Sequence, residues 1–256
     1  MSKVIALFRR ELSYYFRSPV AYAVITLFLL LSGYFFYNLL GYFNLESLRT
    51  MQSPMQSRML SLTSSVLAPL FGNMSSVLLM MLPLITMRVF AEERRSGSAE
   101  LLFTYPISDA QVILGKFLAA LTVHVVLLAM TLPYAALLFY FADPEVGPIL
   151  SGYLGVFLLG TSFLAMGIFF SALGDSQLIA GALTFGCALL FLVIGWITPF
   201  VDGSVAAVLS QLSMVKHLDA MARGVIDTND VVFYLNLTAF FLFLCARVLD
   251  SAHWRS

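Results

Sequence analysis

Six long apolar runs limit what this chain can fold into. The first run, residues 20–43, contains no charged side chain and is long enough to cross a hydrocarbon core of roughly 30 Å as a helix of about 20 residues. Transmembrane β-strands would instead show about ten residues of alternating polarity, and these runs do not alternate. The sequence therefore predicts an all-α integral membrane protein, one transmembrane domain over residues 1–256. Its six spans lie at residues 20–43, 66–87, 117–141, 149–173, 178–200 and 231–246.

Composition agrees with a lipid environment and excludes several classes of function. Apolar residues make up 60% of the chain and charged residues only 11%, against roughly one quarter charged in a soluble domain. The formal net charge is zero, so we expect no nucleic-acid partner. Cys187 and Cys245 both lie within apolar runs, where a free thiol behaves as a small hydrophobic group. We therefore expect no disulfide and no thiol-bound metal.

Lysine and arginine are unevenly distributed between the two sides of the predicted bundle. With both termini in the cytoplasm, ten of the 14 basic residues face the cytoplasm, and Arg49, Arg58, Lys216 and Arg223 face outward. Because basic residues favour the cytoplasmic side of membrane proteins, we expect both termini there.

Residues 1–18 have the pattern of an amphipathic helix lying on the membrane surface. Phe8 and Leu12 share an apolar arc, while Arg10 and Arg17 lie opposite. Pro19 then breaks this helix before the first span. The segment is either a simple membrane anchor or an elbow helix that also meets a cytoplasmic partner. Its candidate functional residues are Phe8, Arg9, Arg10, Leu12 and Arg17.

The segment between spans two and three carries the strongest functional signal. Charges cluster from Arg88 to Arg95, and Gly97 can end the preceding helix. Residues 99–104 can form a short helix with three large apolar side chains, and Ser108 can begin the third membrane helix through a capping box. Such an apolar group in a cytoplasmic loop indicates either a docking surface or a segment folded back onto the membrane.

The sequence AEERRSGSAELLFTYPIS at residues 91–108, following an amphipathic N-terminal helix that ends in RSP, resembles the permease subunit of type-2 ABC exporters. Within that family the chain is most similar to the gliding-motility-type permeases, whose final segment resembles SMVKHLDAMARGVIDTNDVVFYL at residues 213–235. The resemblance implies a cytoplasmic coupling helix between spans two and three, within residues 96–108, that docks on a separate ATPase. The implied docking residues are Glu92, Glu93, Arg94, Arg95, Glu100, Leu101, Leu102 and Phe103.

The resemblance also implies an assembly: a dimer of permeases, most simply a homodimer, with two ATPase subunits and a pathway at the dimer interface. It implies a multi-pass protein of the bacterial cytoplasmic (inner) membrane, with a possible extracytoplasmic accessory protein. The sequence has no G-x-x-x-x-G-K-[ST] phosphate loop, since Gly115-Lys116 is followed by Phe117. We therefore expect no ATPase activity and no cofactor in this chain, with ATP and magnesium bound by the partner.

Residues 202–230 are too long for a simple turn and contain apolar residues at helical spacing. The resemblance implies that this segment forms short helices of an external gate, and a partner-binding surface is an equal interpretation.

His124 is expected to be neutral and hydrogen-bonded to a neighbouring helix. The small residues of span four are expected to allow tight packing within the subunit.

Other function classes remain alternatives to a permease. A membrane scaffold or assembly subunit would bind a cytoplasmic ATPase and act on an extracytoplasmic partner without moving a solute. An integral membrane enzyme or an ion-coupled carrier would need ionisable groups within the spans, and the sequence offers almost none. The chemistry of the substrate is not specified by any motif.

Overall fold

The computed structural model describes residues 2–51, 61–95, 97, 108–141, 144–201 and 203–253. Within these ranges the chain is helical and forms no strand. Six segments are long and apolar enough to cross a membrane. The predicted all-α integral membrane fold is therefore confirmed.

The described part of the chain forms eleven α-helices, one π-helical turn and one 3₁₀ turn. In order they are α1 (Ser2–Arg17), α2 (Pro19–Met51), a π-helical turn (Thr63–Leu67) leading into α3 (Ala68–Thr86), α4 (Ala91–Arg95), α5 (Asp109–Ala129), α6 (Leu132–Phe141), α7 (Val146–Leu173), α8 (Gln177–Ile197), a 3₁₀ turn (Thr198–Phe200), α9 (Ser204–Leu212), α10 (Met214–Ala222) and α11 (Thr228–His253).

Helix α7 is the centre of the bundle and packs against α3, α5, α8, α10 and α11. In the apolar 18-residue stretch of α7, 78% of the residues are buried. In the corresponding stretches of α8 and α11, only 22% are buried. The second, third and fourth spans thus form the core of the subunit. The outer helices α8 and α11 therefore keep most of their apolar residues exposed on the surface of the subunit.

Small residues allow the core helices to approach closely. A β-carbon at Gly160 would overlap the ring of His124 on α5, and one at Gly167 would overlap the side chain of Thr86 on α3. These glycines of α7 therefore serve packing within the subunit, as close helix approach requires.

Two of the spans are interrupted, which the apolar runs alone did not predict. The second span runs through the charged segment to Arg95, as the position of Gly97 predicts, but a turn at residues 87–90 separates α3 from α4. The third span is broken at Met130 and Thr131, because Pro133 has no N–H to continue the helical hydrogen bonding. The hydroxyl of Tyr153 donates to the carbonyl of Thr131 over 2.9 Å.

The helices also extend beyond the predicted apolar runs. Helix α5 begins at Asp109, eight residues before the predicted span 117–141, and α11 covers Thr228–His253 around the predicted span 231–246. Backbone hydrogen bonding continues a helix past the apolar segment that crosses the hydrocarbon. Where each helix enters and leaves the membrane remains a prediction.

Candidate functional site

Helix α1 packs along the start of the bundle with its apolar arc only half-buried. It contacts α5 through Leu7 and Glu11, the two residues of its described part that are fully buried. Leu7 lies directly against Gly115, where a β-carbon would come within 2.9 Å of its Cδ2 atom. Of the predicted elbow residues, Phe8 and Leu12 are half-buried and Arg9, Arg10 and Arg17 are exposed.

Helix α4 is held in place by a hydroxyl from the end of α7. The backbone N–H groups of Phe90 and Ala91 donate to Oγ of Ser171 over 2.9 and 3.1 Å, and the same hydroxyl donates to the carbonyl of Met87 over 3.1 Å. Ser171 thus satisfies backbone groups that the break after α3 would leave unpaired. These hydrogen bonds fix the position of α4, which carries the predicted docking residues Glu92, Glu93, Arg94 and Arg95.

Four charged side chains join α1, α4 and α5 in one network. Nζ of Lys116 lies 2.9 Å from Oε1 of Glu93 and 3.3 Å from Oε1 of Glu11. The guanidinium of Arg10 lies 2.7 Å from Oε1 of Glu93 and 3.1 Å from Oε1 of Glu11. Two cations and two carboxylates alternate, so the formal charge of the network is zero.

Lys116 is the buried member of this network. Its side chain is 1% exposed, against 57% for Arg10. Its ammonium also donates to the carbonyl of Val89 over 2.8 Å and lies 5.0 Å from the ring centroid of Phe90. A buried charge needs such complete pairing, and here the pairing connects the third turn of α5 to the turn before α4.

A cavity of about 470 Å³ opens beside this network, between α1, the first turn of α2, the end of α3 and α4. Partial burial and a hydrogen bond to Glu92 raise the pKa of Tyr14, which lines the cavity, to about 12. Burial raises the pKa of Tyr15 as well, and its hydroxyl donates to the carbonyl of Ile85 over 3.5 Å. Both phenols therefore stay protonated at neutral pH and act as donors.

The remaining predicted docking residues, Glu100, Leu101, Leu102 and Phe103, lie outside the described part of the chain, as does most of the coupling region 96–108. Both boundaries of the coupling region are described. Near its start, Gly97 adopts a positive φ of 70°. At its end, Oε1 of Gln111 accepts from the backbone N–H of Ser108 over 3.4 Å. These are the helix end and the helix start that the sequence predicted there.

A second buried polar contact lies at the opposite end of the bundle, within the predicted gate region 202–230. Nδ1 of His217 lies 2.6 Å from Oδ1 of Asp230, and its Nε2 lies 2.9 Å from the carbonyl oxygen of Gln211. Because a carbonyl can only accept, Nε2–H donates to Gln211. A carboxylate also only accepts, so the contact at Nδ1 holds a further proton, either on Nδ1 or on the carboxyl group of Asp230. The ring stacks on Phe233 at 4.3 Å between centroids, so the contact fastens α10 to the first turns of α11.

His124 is a buried residue of the core. It lies beside Phe157, with ring centroids 6.0 Å apart, and its ring packs directly against Gly160 of α7. Neither ring nitrogen makes a hydrogen bond of good geometry to a described residue, but the imidazole interacts with the backbone of α7 at Phe157 and Val156. The expected polar contact with a neighbouring helix is therefore a weak contact with the backbone of α7.

Comparison with known proteins identifies the family. A family model described as "ABC-2 family transporter protein" matches residues 47–245, which is well over half of the chain. The chain belongs to the ABC-2 transporter family. It is a membrane subunit of that family, and the family implies an ATPase partner. No curated protein matches the chain.

Sequence reasoning named Arg10 and Glu93 as separate candidates but missed the residues that join them. Glu11 and Lys116 are 105 positions apart, so no local pattern connects them. One signal was present for each: Glu11 is the only acidic residue of a basic helix, and Lys116 stands at the start of an apolar run. His217 and Asp230 were likewise not singled out.

Proposed function

We propose that this ABC-2 family protein is the transmembrane permease subunit of an ATP-driven exporter, and that it docks a separate ATPase through its coupling region 96–108. Two permease copies, most simply a homodimer, and two ATPase subunits form the complex. ATP and magnesium bind in the ATPase. The protein resides in the bacterial cytoplasmic membrane with both termini in the cytoplasm, and the dimer interface opens alternately to each side.

The four-charge network carries this proposal. Helix α4 ends at Arg95, immediately before the coupling region, and Glu93 on it pairs with Arg10 of α1 and Lys116 of α5. A displacement of the docked region would therefore act on α4 and reach the elbow helix and the third span through ion pairs. Rigid helices can carry such a movement to a distant interface because packed cores do not deform continuously.

We further propose that the chain is a gliding-motility-type permease that acts with an extracytoplasmic accessory protein. The segment that resembles this subfamily, residues 213–235, forms α10 and the beginning of α11. Its neighbour α9 has no buried residue, and Val205 and Val208 on it are more than half exposed. An exposed apolar helix at this end offers a surface to such a partner.

The deciding experiment replaces the apolar residues of the coupling region. The double variant Leu102→Asp, Phe103→Asp should lose co-purification with the ATPase encoded beside this gene and should lose stimulation of its ATP hydrolysis, because charges in an apolar contact are costly to bury. The matched control is Val225→Asp, Ile226→Asp, two exposed apolar residues at the opposite end of the bundle, and it should retain the complex.

Each outcome has a clear meaning. Retained association and stimulation in the coupling variant would refute docking through residues 96–108. Association that depends on Leu102 and Phe103 but produces no nucleotide-dependent movement of any solute would favour the scaffold or assembly subunit instead of an exporter.

A further inference from the structure

The cavity beside the charged network combines an apolar floor with a polar rim. Val20, Ala21, Leu84 and Ile85 line it on the side of the spans, and charged residues of α1 and of the segment Arg88–Glu93 line it on the other side. Its volume of about 470 Å³ lies within the roughly 300–1,000 Å³ of small-molecule sites. The cavity therefore sits where apolar helix meets charged segment, which is the level of lipid headgroups.

Two charged residues of the lining stand outside the ion-pair network. Arg88 and Glu92 both line the cavity, and Nε of Arg88 and Oε2 of Glu92 have no hydrogen-bond partner among the described residues. Leaving a charged group without a partner is unfavourable. Because one residue is cationic and the other anionic, an occupant with an anionic acceptor and a cationic donor complements both side chains.

The other charges of the lining do not compete for this occupant. Arg10, Glu11, Glu93 and Lys116 are engaged in the ion-pair network. Tyr14 also lines the cavity, and the neighbouring Glu92 carboxylate contributes to its raised pKa. Arg17, an exposed residue of the lining, adds a second cation near the mouth.

An apolar path leads from the cavity toward the membrane. Leu84 lines the cavity and is 40% exposed, and Met80, one turn earlier on α3, is 58% exposed. Side chains four residues apart lie on the same face of a helix. A ligand whose polar head fills the cavity can thus place hydrocarbon along this face of α3.

We propose that the cavity binds the headgroup of a zwitterionic phospholipid that carries a phosphate and a primary ammonium. The phosphate accepts hydrogen bonds from Arg88 and Arg17, since guanidinium matches phosphate geometry. The ammonium donates to the Glu92 carboxylate, and the acyl chains follow Leu84 and Met80. A trimethylammonium headgroup has no N–H to donate to Glu92, and a glycerol headgroup has no cation to pair with it.

Native mass spectrometry of the full-length protein in detergent tests this assignment. The probes are phosphatidylethanolamine, phosphatidylcholine and phosphatidylglycerol with identical acyl chains, and soluble phosphoethanolamine. The unaltered protein should retain phosphatidylethanolamine about tenfold more tightly than the other two lipids, as one lost charge-assisted hydrogen bond predicts. Soluble phosphoethanolamine, without acyl chains, should bind far more weakly.

Three variants locate the site. Glu92→Gln should abolish the preference among the lipids, and Arg88→Gln should weaken retention of all three because each carries a phosphate. Arg223→Gln is the matched control, an exposed arginine at the opposite end of the bundle that does not line the cavity, and it should change nothing.

The wild-type comparison alone can overturn the proposal, so it does not depend on how well the variants fold. Equal retention of the three lipids would mean that the cavity does not distinguish between their headgroups. Soluble phosphoethanolamine that binds as tightly as the lipid would assign the cavity to a soluble phosphate ester instead. Arg88→Gln and Glu92→Gln variants that behave like Arg223→Gln would place the lipid elsewhere.

Discussion

The two ends of the bundle both bury polar contacts, but they do so differently. At the end that carries α1, Arg10, Glu11, Glu93 and Lys116 share ion pairs across three helices. At the opposite end, His217 and Asp230 form one contact between α10 and α11. The first arrangement distributes charge over several elements, whereas the second fastens one short helix to its neighbour.

This difference has a mechanical consequence. In a network of four charges, one partner can shift while the others keep each charge paired, so connected helices can move without exposing an isolated charge. A single pair has no alternative partner. Separating His217 from Asp230 therefore leaves the buried carboxylate unpaired. We therefore expect the α1 end to transmit movement and the opposite end to hold a fixed contact.

The largest effect is expected for Lys116→Met, which removes the buried cation and keeps an apolar side chain of similar length. Glu11 and Glu93 lose their buried partner, and breaking a buried ion pair on one side costs about 3–5 kcal/mol. Unfolding of the purified protein in mixed micelles measures the loss. Lys216→Met, at an exposed lysine, should stay within about 0.5 kcal/mol of wild type. Similar losses in both variants would contradict the role of burial.

A smaller effect is expected for His217→Phe. Phenylalanine preserves the stack on Phe233 but removes both hydrogen bonds of the imidazole, and a buried acceptor left unpaired costs about 1–3 kcal/mol. The same unfolding assay measures this, with Arg223→Gln as a control at an exposed pair. A loss equal to that of Lys116→Met would erase the proposed difference between the two ends.

The smallest effect is expected for Arg10→Gln, which removes the exposed cation of the network. Its side chain is 57% exposed, and exposed ion pairs contribute about 0–1 kcal/mol and weaken with salt. Unfolding measured at low and high salt should show a small loss that salt diminishes further. A loss as large as that of Lys116→Met would mean that the network depends equally on all four members.

The candidate site shows which features the local sequence predicts and which it does not. The charged segment Arg88–Arg95 and the helix ends at Gly97 and Ser108 follow from sequence alone, because caps and charge clusters are local. The break between α3 and α4 does not, since it depends on the hydroxyl of Ser171 in α7. Neither does the pairing of Glu11 with Lys116, which joins residues 105 positions apart.

The sequence by itself determined the fold class and the number of spans, because a membrane helix must be long, apolar and self-satisfied in its backbone hydrogen bonds. Those properties belong to one segment at a time. Only the tertiary structure decided which face of α1 meets the bundle, which charges pair and where a cavity remains. These features depend on distances between side chains from different helices, and no single segment of the chain contains that information.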